Sequence, residues 1–299
     1  MRGSGPQAAM LPDGERLHLN HGPIDLILWC DPPARAMAYA CAAERFRTVL
    51  DELVAELPFL RSPAPVAVAG PVARRMAAAV EPFALSPALT RPSPAGGGSG
   101  RGQRPPAFIT PMAAVAGAVA DEIAAVMTAG TGARKVWVNN GGDIALYLMA
   151  GETMTALMAG GRVTLRAADP IRGIATSGWR GRSQSLGIAD AVTVLGPTGA
   201  MADAAATMLA NAVDLPGHPA VSRRPAAEVK ADSDLGHRPV TVAVAPLPSD
   251  QRARALDRGL AAAEACRAAG LIHAAFLLLQ GETRATASAP SLMPEPIHA

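Results

Sequence analysis

The chain has 299 residues, 17% charged and 3% aromatic, with a formal net charge of +2. So small an excess, without a basic run interleaved with aromatics, excludes a nucleic-acid surface. Charged content is below the ordinary quarter and 49% of residues are hydrophobic, so the core must be built from Ala, Val, Leu and Met.

Residues 1–16 are punctuated by Gly and Pro and are expected to be flexible. An apolar run over 24–30 predicts a strand. Asp31-Pro32-Pro33 reads as a helix start, with Asp as N-cap and Pro in the first turn. Met37, Tyr39, Phe46, Val49, Leu50, Leu53 and Leu57 predict an amphipathic helix over 34–57, which Pro58 ends. Residues 86–106 are rich in Gly, Pro, Ser and Arg and are expected to be a disordered insertion. Its glycine run follows no strand and lacks Lys-Ser/Thr, so it is not a phosphate loop. Thr110-Pro111 opens a helix of small residues. Strands are predicted over 135–139, 143–148, 154–158, 163–165, 171–177 and 191–195, and a helix over 200–213. A strand (240–245), a helix (250–268) and a strand (271–280) follow, with 283–299 as a flexible tail. Hairpins mixed with long helices predict an α+β fold, a single domain over 17–282 with mixed or antiparallel sheets and packed helices.

Cys30, Cys41 and Cys266 lie far apart, which argues against a disulfide framework and a structural zinc site and predicts buried thiols. His273, inside an apolar stretch, reads as a core histidine. No apolar h-region follows Arg2 and no apolar run reaches about 18 residues, so the expectation is a cytoplasmic protein without a membrane partner.

Three stretches carry possible chemistry. In the first, Asn139, Asn140, Gly141, Gly142 and Asp143 interrupt two apolar strands. Two glycines permit positive φ and close approach of a ligand to backbone. The competing reading is a plain Asn-Gly hairpin. In the second, a strand ends in Thr176, Ser177, Gly178, Trp179, Arg180 and, after Gly181, Arg182. Glycine turns there would expose N–H groups to an anion, the arginines would grip phosphate oxygens, and Trp179 would stack on a flat ring. The competing reading is a solvated turn with Trp179 as a core anchor. In the third, Asp203 and Thr207 share a helix face one turn apart, a partial oxygen shell for Mg²⁺. The competing reading is an acid favoured by the start of its own helix. Asp143 and Asp190 are the candidate catalytic bases. Asp121 reads as a helix-surface acid and Asp234 as a turn residue.

Together these stretches resemble the ApbE family, whose characterised members are FAD:protein FMN transferases. Residues 138–144 are similar to its N-x-G-G-D-I segment, 175–178 to its T-S-G strand end, and 192–194 with 202–207 to its V-T-V…A-D-A-x-A-T element. Gly117 and Asp121 fall where that family has K-G-x-x-x-D. The similarity is closer, over nearly all of 17–282, to a bacterial and archaeal cytoplasmic branch of the superfamily, in the runs ITPMAAVAGAVAD, VNNGGDIAL, GIATSGWRGRS, LGIADAVTVL, ADAAAT, SDLG and LQGE. The resemblance implies an ApbE-like fold, FAD or FMN as cofactor, Mg²⁺ on Asp203 and Thr207, and a flavin or related dinucleotide as small-molecule partner. It is compatible with a homodimer.

The chain departs from the transferases in two places. Between Trp179 and Ala191 there is no H-x-I-x-D-P segment, and Ala116 replaces the family lysine. The leading expectation is therefore a flavin-binding, Mg²⁺-dependent protein of FMN-transferase or FAD-cleaving type with a degenerate catalytic motif. The alternatives are a non-catalytic flavin carrier, or an enzyme of one-carbon, methanopterin-type cofactor biosynthesis, the latter resting on the occurrence of related sequences in methanogens and methylotrophs.

Overall fold

The computed structural model describes residues 5–85, 108–158 and 161–287. The expected insertion 86–106 and most of the expected tail lie outside the described residues. In chain order the first half has strands β1 (Gln7–Met10), β2 (Leu17–His21) and β3 (Ile24–Cys30), helices α1 (Arg35–Ala55), α2 (Leu57–Leu60), α3 (Pro71–Ala84) and α4 (Val115–Thr128), then strands β4 (Lys135–Asn140) and β5 (Asp143–Leu148). The second half has β6 (Thr153–Met158), β7 (Gly161–Arg166), β8 (Gly173–Ser177), β9 (Ala191–Gly196), α5 (Gly199–Ala212), β10 (Val221–Pro225), α6 (Ala226–Val229), β11 (Pro239–Val244), α7 (Ser249–Ala268), β12 (Ala274–Leu279) and β13 (Glu282–Ala285).

Nine strands form one sheet in the order β1-β2-β3-β4-β5-β8-β9-β12-β13. Every neighbouring pair in it is antiparallel. The α+β expectation holds, with an antiparallel sheet. Strand alternation divides the core in two. Val136 and Val138 of β4, Ala145 of β5, Ala175 of β8 and Val192 and Val194 of β9 face the helix layer, against Phe46, Phe83, Ile123 and Met127. Leu146, Leu148, Ile174, Leu195 and Phe276 face the other way, under the β6–β7 hairpin through Val163 and Leu165.

Several local expectations are corrected. Residues 7–10, expected to be flexible, pair with β2 as an edge strand, and the start of the expected tail pairs with β12 as β13. Asp31 does not cap α1, whose N-cap is Ala34. It accepts instead from the Arg134 and Lys135 N–H groups at 2.8 and 2.9 Å, tying the start of α1 to that of β4. Pro58 sits in the first turn of α2 rather than ending α1. The window Pro111–Thr128 is by length and composition apolar enough to cross a membrane, but 56% of it is buried in this fold. It holds Asp121 and Glu122, and Glu122 receives Arg45 at 2.8 Å and Arg75 at 3.0 Å. The helix is accounted for as a core element.

Small residues set how α4 and α5 meet. A Cβ on Gly117 would fall 2.2 Å from the Gly199 carbonyl oxygen, so the two helices touch backbone to backbone near their N-termini. Asp121 of α4 accepts from the Gly199 and Ala200 N–H groups, both at 2.8 Å, in the first turn of α5. Asp203 of α5 accepts from the Gly117 N–H at 3.0 Å in the first turn of α4. Each helix supplies the acid that satisfies the other's free N–H groups. Asp121 is thus a cap in trans and not the surface acid expected from sequence. Asp121→Ala should lower stability by about 1–2 kcal/mol, measured by denaturant unfolding.

Candidate functional site

Asn140 pairs with Asp143 across the β4–β5 hairpin, leaving only Gly141 and Gly142 in the loop. Their φ angles are +66° and +115°, backbone that side chains other than glycine's rarely adopt. The hairpin reading is therefore correct as far as it goes. The loop is braced by the Gly142 N–H, which donates to Asn139 Oδ1 at 2.8 Å. Asn140, buried on the helix-facing side, donates to the Ala116 carbonyl at 3.1 Å and so fastens the hairpin to the start of α4.

Asp143 shares its strand face with Ala145, toward the helices. Its Oδ1 accepts from the Thr176 N–H at 3.2 Å. Burial pushes its carboxyl up to about 6, against that N–H and the Arg182 charge, which both pull it down. Arg182 reaches over the hairpin, and a Cβ on Gly141 would meet its Nη2. Asp203 stands on the helix side of the same space. Burial, and next the Asp143 charge, hold its carboxyl well above the ordinary range, against N–H groups of Gly117 and Ala116, and Asp121 adds to the rise. Burial also raises Asp121, against its two N–H donors. Thr207 lies one turn beyond Asp203 and is partly exposed, as is Asp203.

The Asp143 charge thus raises Asp203, and the cation that acts on Asp143 is Arg182. Hard carboxylate oxygens beside a hydroxyl are the donor type Mg²⁺ takes, with water and phosphate completing the shell. Among the described residues no three His, Cys, Asp or Glu cluster closely enough to hold a metal by themselves. A cation here would depend on Thr207, backbone or ligand oxygens as well.

The second stretch divides in the structure. The Thr176 N–H faces Asp143, while its hydroxyl bonds Thr193 Oγ1 at 2.8 Å. Ser177 pairs with Val192 at the strand end. A Cβ on Gly178 would fall 2.3 Å from the Asp190 carbonyl oxygen, so glycine is required there for close packing. Asp190 is an anchor: Trp179 Nε1 donates to it at 3.1 Å, Arg180 Nε at 2.8 Å, and the Gln280 N–H also reaches it. Arg180 lies over the Trp179 ring, 5.2 Å from its centroid. Asp190 thus receives donors from three residues, whereas the Asp143 carboxylate accepts from the Thr176 N–H. Asp234 lies in a turn, as its sequence context predicts. It accepts from the buried Thr110 hydroxyl at 2.5 Å, which fixes the 233–236 loop against the segment leading into α4.

The geometry defines an α+β protein in which a glycine hairpin, the end of β8 and the first turns of two helices bring Asp143, Asp121 and Asp203 together. The profile of the family described as AbpE bacteria matches residues 8–99 and 101–285, and the chain belongs to that family. Its curated relatives include a UPF0280 protein of Methanopyrus kandleri, 31% identical over 62% of this chain and 69% of the relative. UPF0280 proteins of Methanocaldococcus jannaschii and Methanococcoides burtonii are 38% and 41% identical, over 36% and 38% of this chain. The chain spans about half the length of those two, 46% and 49%. Among solved structures, the flavin transferase ApbE from Vibrio cholerae aligns at 14% identity with a TM-score of 0.47, over 95% of this chain and 98% of that one. The flavinyl transferase ApbE of Pseudomonas stutzeri aligns at 17% identity with a TM-score of 0.46, over 96% and 97%.

Proposed function

We propose that this protein binds a flavin dinucleotide together with Mg²⁺ in the cleft between the β4–β5 hairpin, the end of β8 and α5, and cleaves its diphosphate. The observation that carries this reading is the facing pair Asp143 and Asp203, each held above the ordinary carboxylate range inside a glycine-lined corner. Such a pair is relieved by a divalent cation, and the cleft offers N–H groups and Arg182 for phosphate oxygens.

In this reading Asp203 and Thr207 hold the metal, and Asn140 keeps the hairpin at a fixed height above them. Bound Mg²⁺ would neutralise diphosphate charge. Asp143 is within the cleft and takes up a proton at its carboxylate near neutrality, which suits it to serve as general base toward water or an acceptor hydroxyl. Ser177 and Arg182 line the phosphate path, Arg182 covers Gly141, and the open space beside Gly142 leaves room for a ring or ribose. Trp179, Arg180 and Asp190 build the wall behind Gly178.

The test uses purified protein with FAD, with and without Mg²⁺, followed by flavin absorbance and chromatography of the nucleotide products. The expected result is saturable flavin binding and Mg²⁺-dependent release of AMP. Flavin binding without AMP would replace the enzyme by a carrier. Absence of binding to FAD and FMN would refute the flavin assignment.

A further inference from the structure

Beyond the C-terminal end of α5 lies a polar cavity of about 280 Å³, lined by residues 215–219 together with Gln251, Arg254 and Arg258. It is separated from Asp203 by the remaining turns of α5, roughly 14 Å of helix axis. We propose that this cavity is a binding site for a small phosphate monoester that also carries a hydroxyl group. The inference is independent of the flavin reading.

The cavity is lined by cations and by no acid. Arg254 and Arg258 are exposed and one turn apart on α7, so they project from one face. Arg258 spends one Nη1 hydrogen on the Asp214 carbonyl at 3.3 Å. That contact alone would be explained by the partial negative charge of a helix end. Arg254 has no such duty: it enters no ion pair or side-chain hydrogen bond among the described residues. Of the neighbouring carboxylates, Asp214 is matched by Arg223 and Asp257 by Arg284 at 3.0 Å, while Asp250, one turn before Arg254 on α7, is exposed and outside the cavity lining. Two guanidinium forks facing one cavity suit the several oxygens of a phosphate.

Two further groups narrow the ligand. His218 Nδ1 accepts from the Ala220 N–H at 3.2 Å, which leaves the ring proton on Nε2 and makes that nitrogen a donor. Gln251 Oε1 is buried and has no donor. An orphaned buried acceptor costs free energy unless something supplies a hydrogen. The doubly ionised phosphate of a monoester cannot do so, whereas a ligand hydroxyl can, with a small rotation of the amide.

The experiment is isothermal titration of the full chain with methyl phosphate and with ribose 5-phosphate at low salt, both as dianions, repeated on Arg254→Ser/Arg258→Ser and on Gln251→Leu. Both arginines are exposed, so the double variant is expected to fold, which its unfolding curve checks. The wild type should bind both ligands saturably, ribose 5-phosphate about tenfold more tightly, and the double variant should lose about tenfold or more for each. Gln251→Leu should erase the preference for the sugar phosphate and leave methyl phosphate unchanged. Failure of the wild type to bind either ligand at millimolar concentration, or binding undiminished in the double variant, would overturn the site. Equal wild-type affinities would overturn the hydroxyl contact. Asp203→Asn should bind both as the wild type does, so loss of flavin chemistry and loss of this site are separable.

Discussion

Asp203→Asn should make the metal-free protein more stable at pH 7.5 while abolishing its response to Mg²⁺ and any Mg²⁺-dependent release of AMP. The asparagine carbonyl can still accept the Gly117 N–H, so the cap on α4 survives. What disappears is the repulsion from Asp143 and Asp121 and the cost of keeping a carboxylate in the cleft. Because Asp203 is partly exposed, the gain is modest, about 1 kcal/mol, or about 2–4 °C in melting temperature for a chain of this size. A purely structural acid predicts the opposite sign, since replacing a charged acceptor by a neutral one weakens its hydrogen bond. The gap between variant and wild type should also depend on pH. Asp143 has its folded value raised from 3.8 to about 6, so its ionisation disfavours the fold, a penalty absent below 3.8 and complete above about 6. The stabilising effect of Asp203→Asn should therefore shrink as pH falls from 7.5 toward 4. Thermal melts of both proteins at several pH values, with and without Mg²⁺, check every part. A wild type more stable than the variant in the absence of metal would rule out the strained acid pair.

That pair shows what a sequence reveals and what it hides. Strands β3 and β5 have the residue limits expected from their apolar runs, because strand alternation and glycine turns are written locally. The Gly141–Gly142 corner was legible for the same reason. The edge strands β1 and β13 were not: their residues, QAAM and ETRA, are exposed or only half-buried and carry no hydrophobic signal. Helix α3 does carry one, in Val72, Met76, Ala79, Val80 and Phe83, but Pro71 and Pro82 at its two ends obscure it. The site divides along the same line. Asp203 and Thr207 share a helix face by spacing alone, whereas the engagement of Asp190 by Trp179, Arg180 and Gln280 is made by chain segments up to 90 residues apart. The trans-capping by Asp121 spans 78 residues to Gly199. No local pattern encodes either; the only hint was the unusual frequency of small residues in α4 and α5.

Those small residues carry the largest expected loss of stability. Gly117→Ala should destabilise the protein by about 2 kcal/mol or more, although alanine is the better helix former by about 1 kcal/mol. The new methyl would lie 2.2 Å from the Gly199 oxygen, 2.4 Å from its carbonyl carbon and 2.7 Å from the Ala200 nitrogen. All three are backbone atoms, so no rotamer change relieves the collision and the helices must move apart. Separation stretches both trans caps together: Asp121 withdraws from the Gly199 and Ala200 N–H groups, and the Gly117 N–H withdraws from Asp203. The loss should therefore be strongly non-additive with Asp121→Ala, the double variant falling little further than Gly117→Ala alone. Moving α5 also shifts Asp203 relative to Asp143, so the Mg²⁺ response should weaken even though no cleft side chain has changed. Denaturant unfolding of the two single variants and the double variant measures the first effect, and thermal shift with Mg²⁺ the second. If Gly117→Ala folds as stably as the wild type, the backbone contact between α4 and α5, and with it the placement of Asp203 opposite the hairpin, is wrong.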